Sequence, residues 1–194
     1  MVNRCRRTTS PMTALRFLLV LVALLASRAA AGQEALSIDD FFGRWEGTAL
    51  GQSADAPTSG FGARDLDVRI SGTEDGFEIT WFTVPRAGSL TAPEAEAQRR
   101  FTTAHFMRSG PSVWEAAAAE GAEGPGGSFS HSWARLEGRS LYVYVLEIDE
   151  RGIYQLARYE RTISLAGVMD LRFTRTRDGT VVRRVSGNLM RVGD

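Results

Sequence analysis

The side chains that could do chemistry in this chain are few and widely spaced. His105 and His131 are the only histidines, and the one cysteine is Cys5. A metal centre needs several ligands in close order. No His/Asp/Glu cluster has that local spacing, so no metal and no cofactor is expected. No Gly-x-Ser-x-Gly elbow and no phosphate-binding loop is present. Ser130-His131-Ser132 sets hydroxyls beside an imidazole, as a hydrolase would need. Neighbours on a strand point to opposite faces, so the three do not converge. The remaining enzymatic reading is an isomerase or lyase that uses His105 or Arg161. No catalytic residue is assigned, and a protein without enzymatic activity is the expectation.

The aromatic residues offer more. Trp81, Phe106, Trp133, Tyr142, Tyr144 and Tyr159 are spread over the middle of the chain. They either pack a core or line a cavity with a few polar anchors, as small-ligand pockets do. The candidate ligand-binding set is Trp81, His105, Trp133, Tyr144, Tyr159 and Arg161, and the ligand a small apolar or amphipathic molecule. Arg161 shares an alternation face with Tyr159, Ala157 and Ile153. If that face is interior, the arginine must seek an anion or an acid, because unpaired burial of charge is costly. The opposite face carries Leu156, Arg158 and Glu160, a self-satisfied outer pair.

Strands must position these residues. Leu66, Val68 and Ile70 alternate with Asp65, Asp67 and Arg69, the pattern of a half-buried strand. Phe77, Ile79 and Trp81 alternate with Glu78 and Thr80, whereas Leu141 to Ile148 is apolar on both faces. Strands are predicted over 44–50, 65–71, 77–85, 101–108, 113–116, 130–136, 140–148, 153–163, 169–177 and 180–190. Glu137-Gly138, Ala166-Gly167 and Asp178-Gly179 are good hairpin turns. Many short strands in sequence predict an all-β fold, an antiparallel up-and-down barrel of eight to ten strands. Ser37 to Asp40 reads as a capping box and predicts a short N-terminal helical turn. Thr91-Ala92-Pro93-Glu94 predicts one small helix running to Arg100, and Ala116 to Gly127 reads as a loop. Alternate loops of a meander fall at one end. The long loops 51–64, 86–100 and 117–129 therefore share a mouth, and short turns make the floor.

The stretch from Phe41 to Leu50, FFGRWEGTAL, belongs at that floor. Trp45, Gly47 and Ala49 share one face, so a large ring is followed by two small residues that let the strand bend. A short helical turn followed by Gly-x-Trp resembles the start of the lipocalin-like, or calycin, barrels. In those barrels the tryptophan closes the base, and an arginine near the end of the last strand packs across it. Gly43 and Trp45 match the first element, and Arg191 stands where the second is needed, on the face of Leu189 and Val185. The resemblance implies a structural floor of Gly43, Trp45 and Arg191 beneath a ligand space. Its residue matches lie only at the two ends of the barrel. The haem-binding members use a histidine on a late strand, and none follows His131 here, so haem does not fit.

The chain opens with a basic stretch, Arg4 to Arg16, then nine apolar residues from Phe17 to Leu25, then Ala29-Ala30-Ala31 before Gly32. That order is the pattern of a secretory signal peptide. The apolar run falls well short of the roughly 20 residues that cross a bilayer. We therefore expect residues 1–31 to be a signal peptide, residues 32–194 to form a single barrel domain, and the product to be periplasmic or secreted without stable membrane insertion. All 23 basic residues are arginine, and five leave with the leader, so 18 face 23 acids at a net charge of −5. That balance argues against nucleic acid as a partner. Residues 151–194 nevertheless hold nine arginines to four acids, enough for one positive face. Besides ligand binding, the composition allows an envelope interaction module whose barrel is filled by its own side chains.

Overall fold

The computed structural model describes residues 35–53, 62–85, 100–116, 123–124 and 128–193. A single turn of 3-10 helix, Ile38–Phe41, leads into β1 (Gly43–Ser53). Antiparallel strands follow in order: β2 (Gly62–Gly72), β3 (Gly76–Pro85), β4 (Arg100–Gly110) and β5 (Val113–Ala116). A two-residue β6 (Glu123–Gly124) precedes β7 (Ser128–Glu137), β8 (Ser140–Ile148) and β9 (Tyr154–Ile163). β10 (Met169–Arg177) and β11 (Thr180–Val192) complete the sheet. Each long strand pairs with the next, β11 returns to β1, and β5 pairs with β7. The result is a closed antiparallel barrel of ten strands, with β6 attached to the free stretch of β7. This is the predicted meander at the upper end of its strand range. The small helix expected from Thr91 lies outside the described residues, apart from Arg100, which opens β4.

Closure rests on the four residues of β5. Trp114 stands opposite Arg108 on one side and Ala134 on the other, so a very short strand bridges two long ones. An even strand count also brings the chain back to its starting end. Trp45 and Arg191 are direct cross-strand partners, and the Arg191 guanidinium carbon lies 4.6 Å from the indole centre. Arg191 donates through Nη2 to the Asp40 carbonyl, and Trp45 donates through Nε1 to the Phe41 carbonyl at 2.9 Å. The 3-10 turn is thereby tied across the base. Its start is held as the sequence implies: the Asp40 carboxylate accepts from the Ser37 backbone N–H at 2.7 Å and from Ser37 Oγ at 2.9 Å. The hydrogen bond from the Ser37 backbone holds the Asp40 carboxyl below its usual range.

The lower half of the barrel is solid. Phe41, Trp45, Ile70, Phe77, Phe106 and Trp114 are all essentially inaccessible. Phe77 stacks on Phe106 at 5.1 Å and meets Trp114 edge-on at 5.3 Å. Each such ring contributes roughly 1.5–3 kcal/mol relative to an exposed position. Small residues let the seam of β1 and β11 close. A Cβ on Gly47 would lie 2.0 Å from the Asn188 carbonyl oxygen, and one on Gly187 would lie 2.3 Å from that of Thr48. Gly43 has φ +123°, a conformation that side chains rarely adopt, where the turn hands over to the strand.

Short turns at 73–75, 111–112, 138–139 and 164–168 close the floor end. The long connections 51–64, 86–100 and 117–129 lie mostly outside the described residues. The strand ends that flank them all lie at the opposite end, together with the turns at 149–153 and 178–179.

Two outcomes follow from the floor and the seam. Trp45→Ala should lose about 3–5 kcal/mol in urea melts, the scale of large aromatic truncations. Combining it with Arg191→Ala should lose less than the sum of the single losses, by about 0.5–1 kcal/mol, since the partners touch. Strictly additive losses would separate the two residues energetically. Gly47→Ala should cost about 1–3 kcal/mol, because the atom it strikes is backbone; a neutral effect would show that the seam can open.

Candidate functional site

Strand alternation sorts the candidate residues onto two faces. On β3, Trp81 continues the buried row of Phe77 and Ile79. On β9, Tyr159 and Arg161 lie in the row of Ala157 and Ile163, both buried. The rings of Trp81 and Tyr159 meet at 5.6 Å although β3 and β9 are not neighbours in the sheet. Their contact therefore crosses the barrel interior, above the packed floor. Tyr159 also packs on Phe173 of β10 at 4.7 Å.

The other three candidates face outward, which corrects the expectation that all six line one cavity. His105 alternates with buried Phe106, and its Nε2 lies 3.0 Å from Glu78 Oε2 on the outer surface. Trp133 adjoins fully buried Ala134 and Tyr144 adjoins buried Val143, so both rings stand outside, stacked at 4.9 Å. Alternation alone cannot orient a strand that is apolar on both faces, as β8 is, or one whose rows are both mixed, as those of β4 and β7 are. Those outer rings belong to a longer stack. Phe129 meets His131 at 6.2 Å, His131 meets Trp133 at 5.6 Å, and Tyr144 continues to Tyr142 at 6.3 Å. The two-residue spacing of Phe129, His131 and Trp133 is the signal that marks this row in the sequence. It also places Ser130 and Ser132 on the face opposite His131.

Arg161 is the unusual member of the interior set. It is only 2% exposed. Its cross-strand partners are Leu141 and Leu171, which offer it no hydrogen bond from their side chains. The guanidinium carbon lies 5.4 Å from the Tyr159 ring and 6.0 Å from the Trp81 ring. Such ring contacts are worth roughly 0.5–2 kcal/mol and do not themselves bond the N–H groups. Among the described residues, the buried side-chain polar atoms without a partner are Trp114 Nε1 and two nitrogens of Arg161, Nε and Nη1. Burial pushes the Arg161 pKa down to about 10, which still leaves it charged at neutral pH. Burial likewise pushes the Tyr159 hydroxyl upward, against the pull of Arg161, Arg175 and Arg183. Arg175 and Arg183 were not singled out by the sequence; their guanidinium carbons lie 5.7 Å and 6.0 Å from the Phe173 ring.

Outside the barrel, an open groove of about 740 Å³ runs over β1, β2 and β11, between Glu46, Asp67, Phe82 and Met190. Of its three acids, Arg44 already engages Glu46 and Asp67, and Asp65 has interactions of its own. The interior set, not this groove, combines rings with an unsatisfied charge. No group of three or more metal-ligating side chains occurs among the described residues.

No family model matches the chain, and no curated protein matches it. Among solved structures it is similar to the S-type phycobiliprotein lyase from Guillardia theta, with a TM-score of 0.52 and 6% sequence identity. The match covers 81% of this chain and 91% of that one. At that identity the likeness concerns the fold alone, and together with the ten-stranded closure it supports a calycin-like barrel.

A buried, unpartnered cation predicts its own penalty. Arg161→Met should leave the ligand-free protein at least as stable, and up to about 4 kcal/mol more stable, in urea melts at neutral pH. Below about pH 10 Arg161 holds its proton in both folded and unfolded chains, so the difference is constant there. Between about pH 10 and the ordinary arginine range only the unfolded chain keeps it. Stability of the native protein relative to Arg161→Met therefore rises with pH in that window. A clear loss of stability in Arg161→Met at neutral pH would mean that the guanidinium has a partner.

Proposed function

We propose that this chain is an exported small-ligand-binding protein that holds an apolar or amphipathic molecule, acidic at one end, in the upper half of its barrel. The observation that carries the reading is Arg161: a charged guanidinium, sealed among leucines and rings, with two donor nitrogens unbonded. A side chain in that position is explained by the anion it waits for, since burial without one only costs stability. Rings at Trp81, Tyr159 and Phe173 supply the apolar wall such a ligand needs. We further read the chain as a member of the lipocalin-like, or calycin, group, on the support of Gly43, Trp45 and Arg191. Residues 1–31 are read as a signal peptide, residues 32–194 as the mature domain, and the destination as periplasmic or extracellular. The reading needs no metal, haem, nucleic acid or catalytic residue. A second reading, the envelope interaction module, is favoured by the outer aromatic row, where Phe129 is 51% exposed.

Protein recovered from the host envelope should begin at Gly32, and native mass spectrometry should find a small molecule retained on it. In vitro, a fluorescent fatty carboxylate should take energy from Trp81 while leaving Trp45 unaffected. Arg161→Met should weaken that probe about tenfold or more, and its neutral amide far less. Equal losses for acid and amide would remove Arg161 from the site. Absence of any binding would transfer support to the interaction module.

A further inference from the structure

One stretch of the barrel's outer wall is apolar. β8 carries apolar residues on both faces, and its outer row continues across β7 and β9. At the mouth end Ile148 stands between Phe129 and Tyr154, which are 51% and 39% exposed. Leu146 stands between His131 and Leu156 one level below, and Tyr144 between Trp133 and Arg158 below that. The face is three strands wide at about 5 Å each and three levels deep at about 7 Å each. Charge closes it at both ends. The turn beyond Ile148 holds Asp149, Glu150 and Arg151, a net −1, with Arg151 bonded to Asp149. Towards the floor, Glu160 lies 3.3 Å from Arg158 and 3.6 Å from Arg172, a group of net +1. Arg135 and Glu137, beside that group on β7, pair with each other. Thr174 and Thr176 border the face on β10, and Glu115 borders it on β5.

We propose that this face binds the same face of a second copy of the chain, about a twofold axis that crosses the strands at the level of Leu146 and Leu156. Charge complementarity selects that arrangement. Leu146 and Leu156 are direct register partners. Glu150 lies four residues beyond Leu146 towards the mouth, and Glu160 four residues beyond Leu156 towards the floor. A twofold at the leucine level exchanges these two positions. The negative turn of each copy then meets the positive Arg158–Glu160–Arg172 group of the other. A bilayer surface fits less well, because the border includes Glu115, Asp149 and Glu150, which anionic headgroups repel. The apolar part covers roughly 300 Å² in projection, and roughly 500 Å² with its charged ends. Standard interfaces bury about 800 Å² per partner, so this association is weak and reversible. The pairing uses only the outer wall and does not depend on what the interior holds.

The test is sedimentation velocity on protein purified from the host envelope, over roughly 1 µM to 1 mM, the range of weak association. Native protein should pass from monomer to dimer within that range. Leu156→Arg sets like charges against each other at the axis and should weaken the dimer about tenfold or more. Glu150→Arg and Arg172→Glu should each weaken it about threefold or more, because each places like charges together across the pair. The double variant Glu150→Arg/Arg172→Glu exchanges the two charges and should return to within about twofold of native. Thermal melts of each variant check that the barrel stays folded. A monomer throughout the range would overturn the pairing. So would a dimer indifferent to Leu156→Arg, or single losses that simply add in the double variant. Flotation with phosphatidylglycerol vesicles tests the other occupant: vesicle binding lost in Leu156→Arg, by protein that stays monomeric, would assign the face to lipid instead. Each of these outcomes leaves the ligand-binding reading of the interior in place.

Discussion

The contact on which the barrel's arrangement depends is the Arg191 guanidinium lying over the Trp45 indole. It joins the first strand to the last at the level where the 3-10 turn crosses the base. For the two residues to meet, β1 must start and β11 must end on the same side of the sheet. In an antiparallel closed sheet that needs an even number of strands. The four residues of β5 supply the tenth, paired on both edges. Without that short strand β4 and β7 would each present an unpaired edge, and open edges invite association with other chains. Floor and closure are therefore one requirement, met at opposite places in the sequence.

A sealed floor changes what the rest of the interior can do. Phe41, Phe77, Phe106 and Trp114 are buried at the base. Charges above it sit against low-dielectric walls, where their interactions are stronger than at the surface. That is why one guanidinium at Arg161 matters more than the outer ion pairs. Arg158 with Glu160, or Arg135 with Glu137, are solvated contacts worth about 1 kcal/mol at most. The packed lower half can carry the cost of the unsatisfied charge at Arg161.

Much of this architecture was legible in the residues. The strands, the capping turn and the facing of Trp45 and Arg191 follow from alternation, hairpin glycines and parity. Arg161 was legible as well, because its row on β9 contains Ala157 and Tyr159 while the other row contains Arg158 and Glu160. The faces of β4 and β8 were not. Tyr144 sits on β8, whose two rows are both apolar, and His105 and Trp133 sit on strands whose rows are both mixed, so only packing against neighbouring strands decides which row turns inward. Arg175 and Arg183 were hidden for the opposite reason. Arg175 follows Leu171 and Phe173 in one row, but a row that ends in arginines reads as turning to solvent, and nothing local reveals that Phe173 keeps it inside. The β10–β11 register adds a shift between Arg175 and Thr176 that simple alternation does not anticipate.

The arginines divide by what they touch. Outside, Arg44, Arg135, Arg151 and Arg158 each meet a carboxylate. Inside, Arg161 lies against Tyr159 and Trp81, and Arg175 lies against Phe173. The difference is chemical as well as positional. A carboxylate occupies the edge of a guanidinium, where the N–H donors point, whereas a ring occupies its flat face. Ring contacts hold the cation in place without occupying its donor edge. Lysine could not divide its charge in this way, since an ammonium has no face distinct from its donors. The same residue type that neutralises acids on the outer surface can therefore, against aromatic walls, keep a planar edge for further donation.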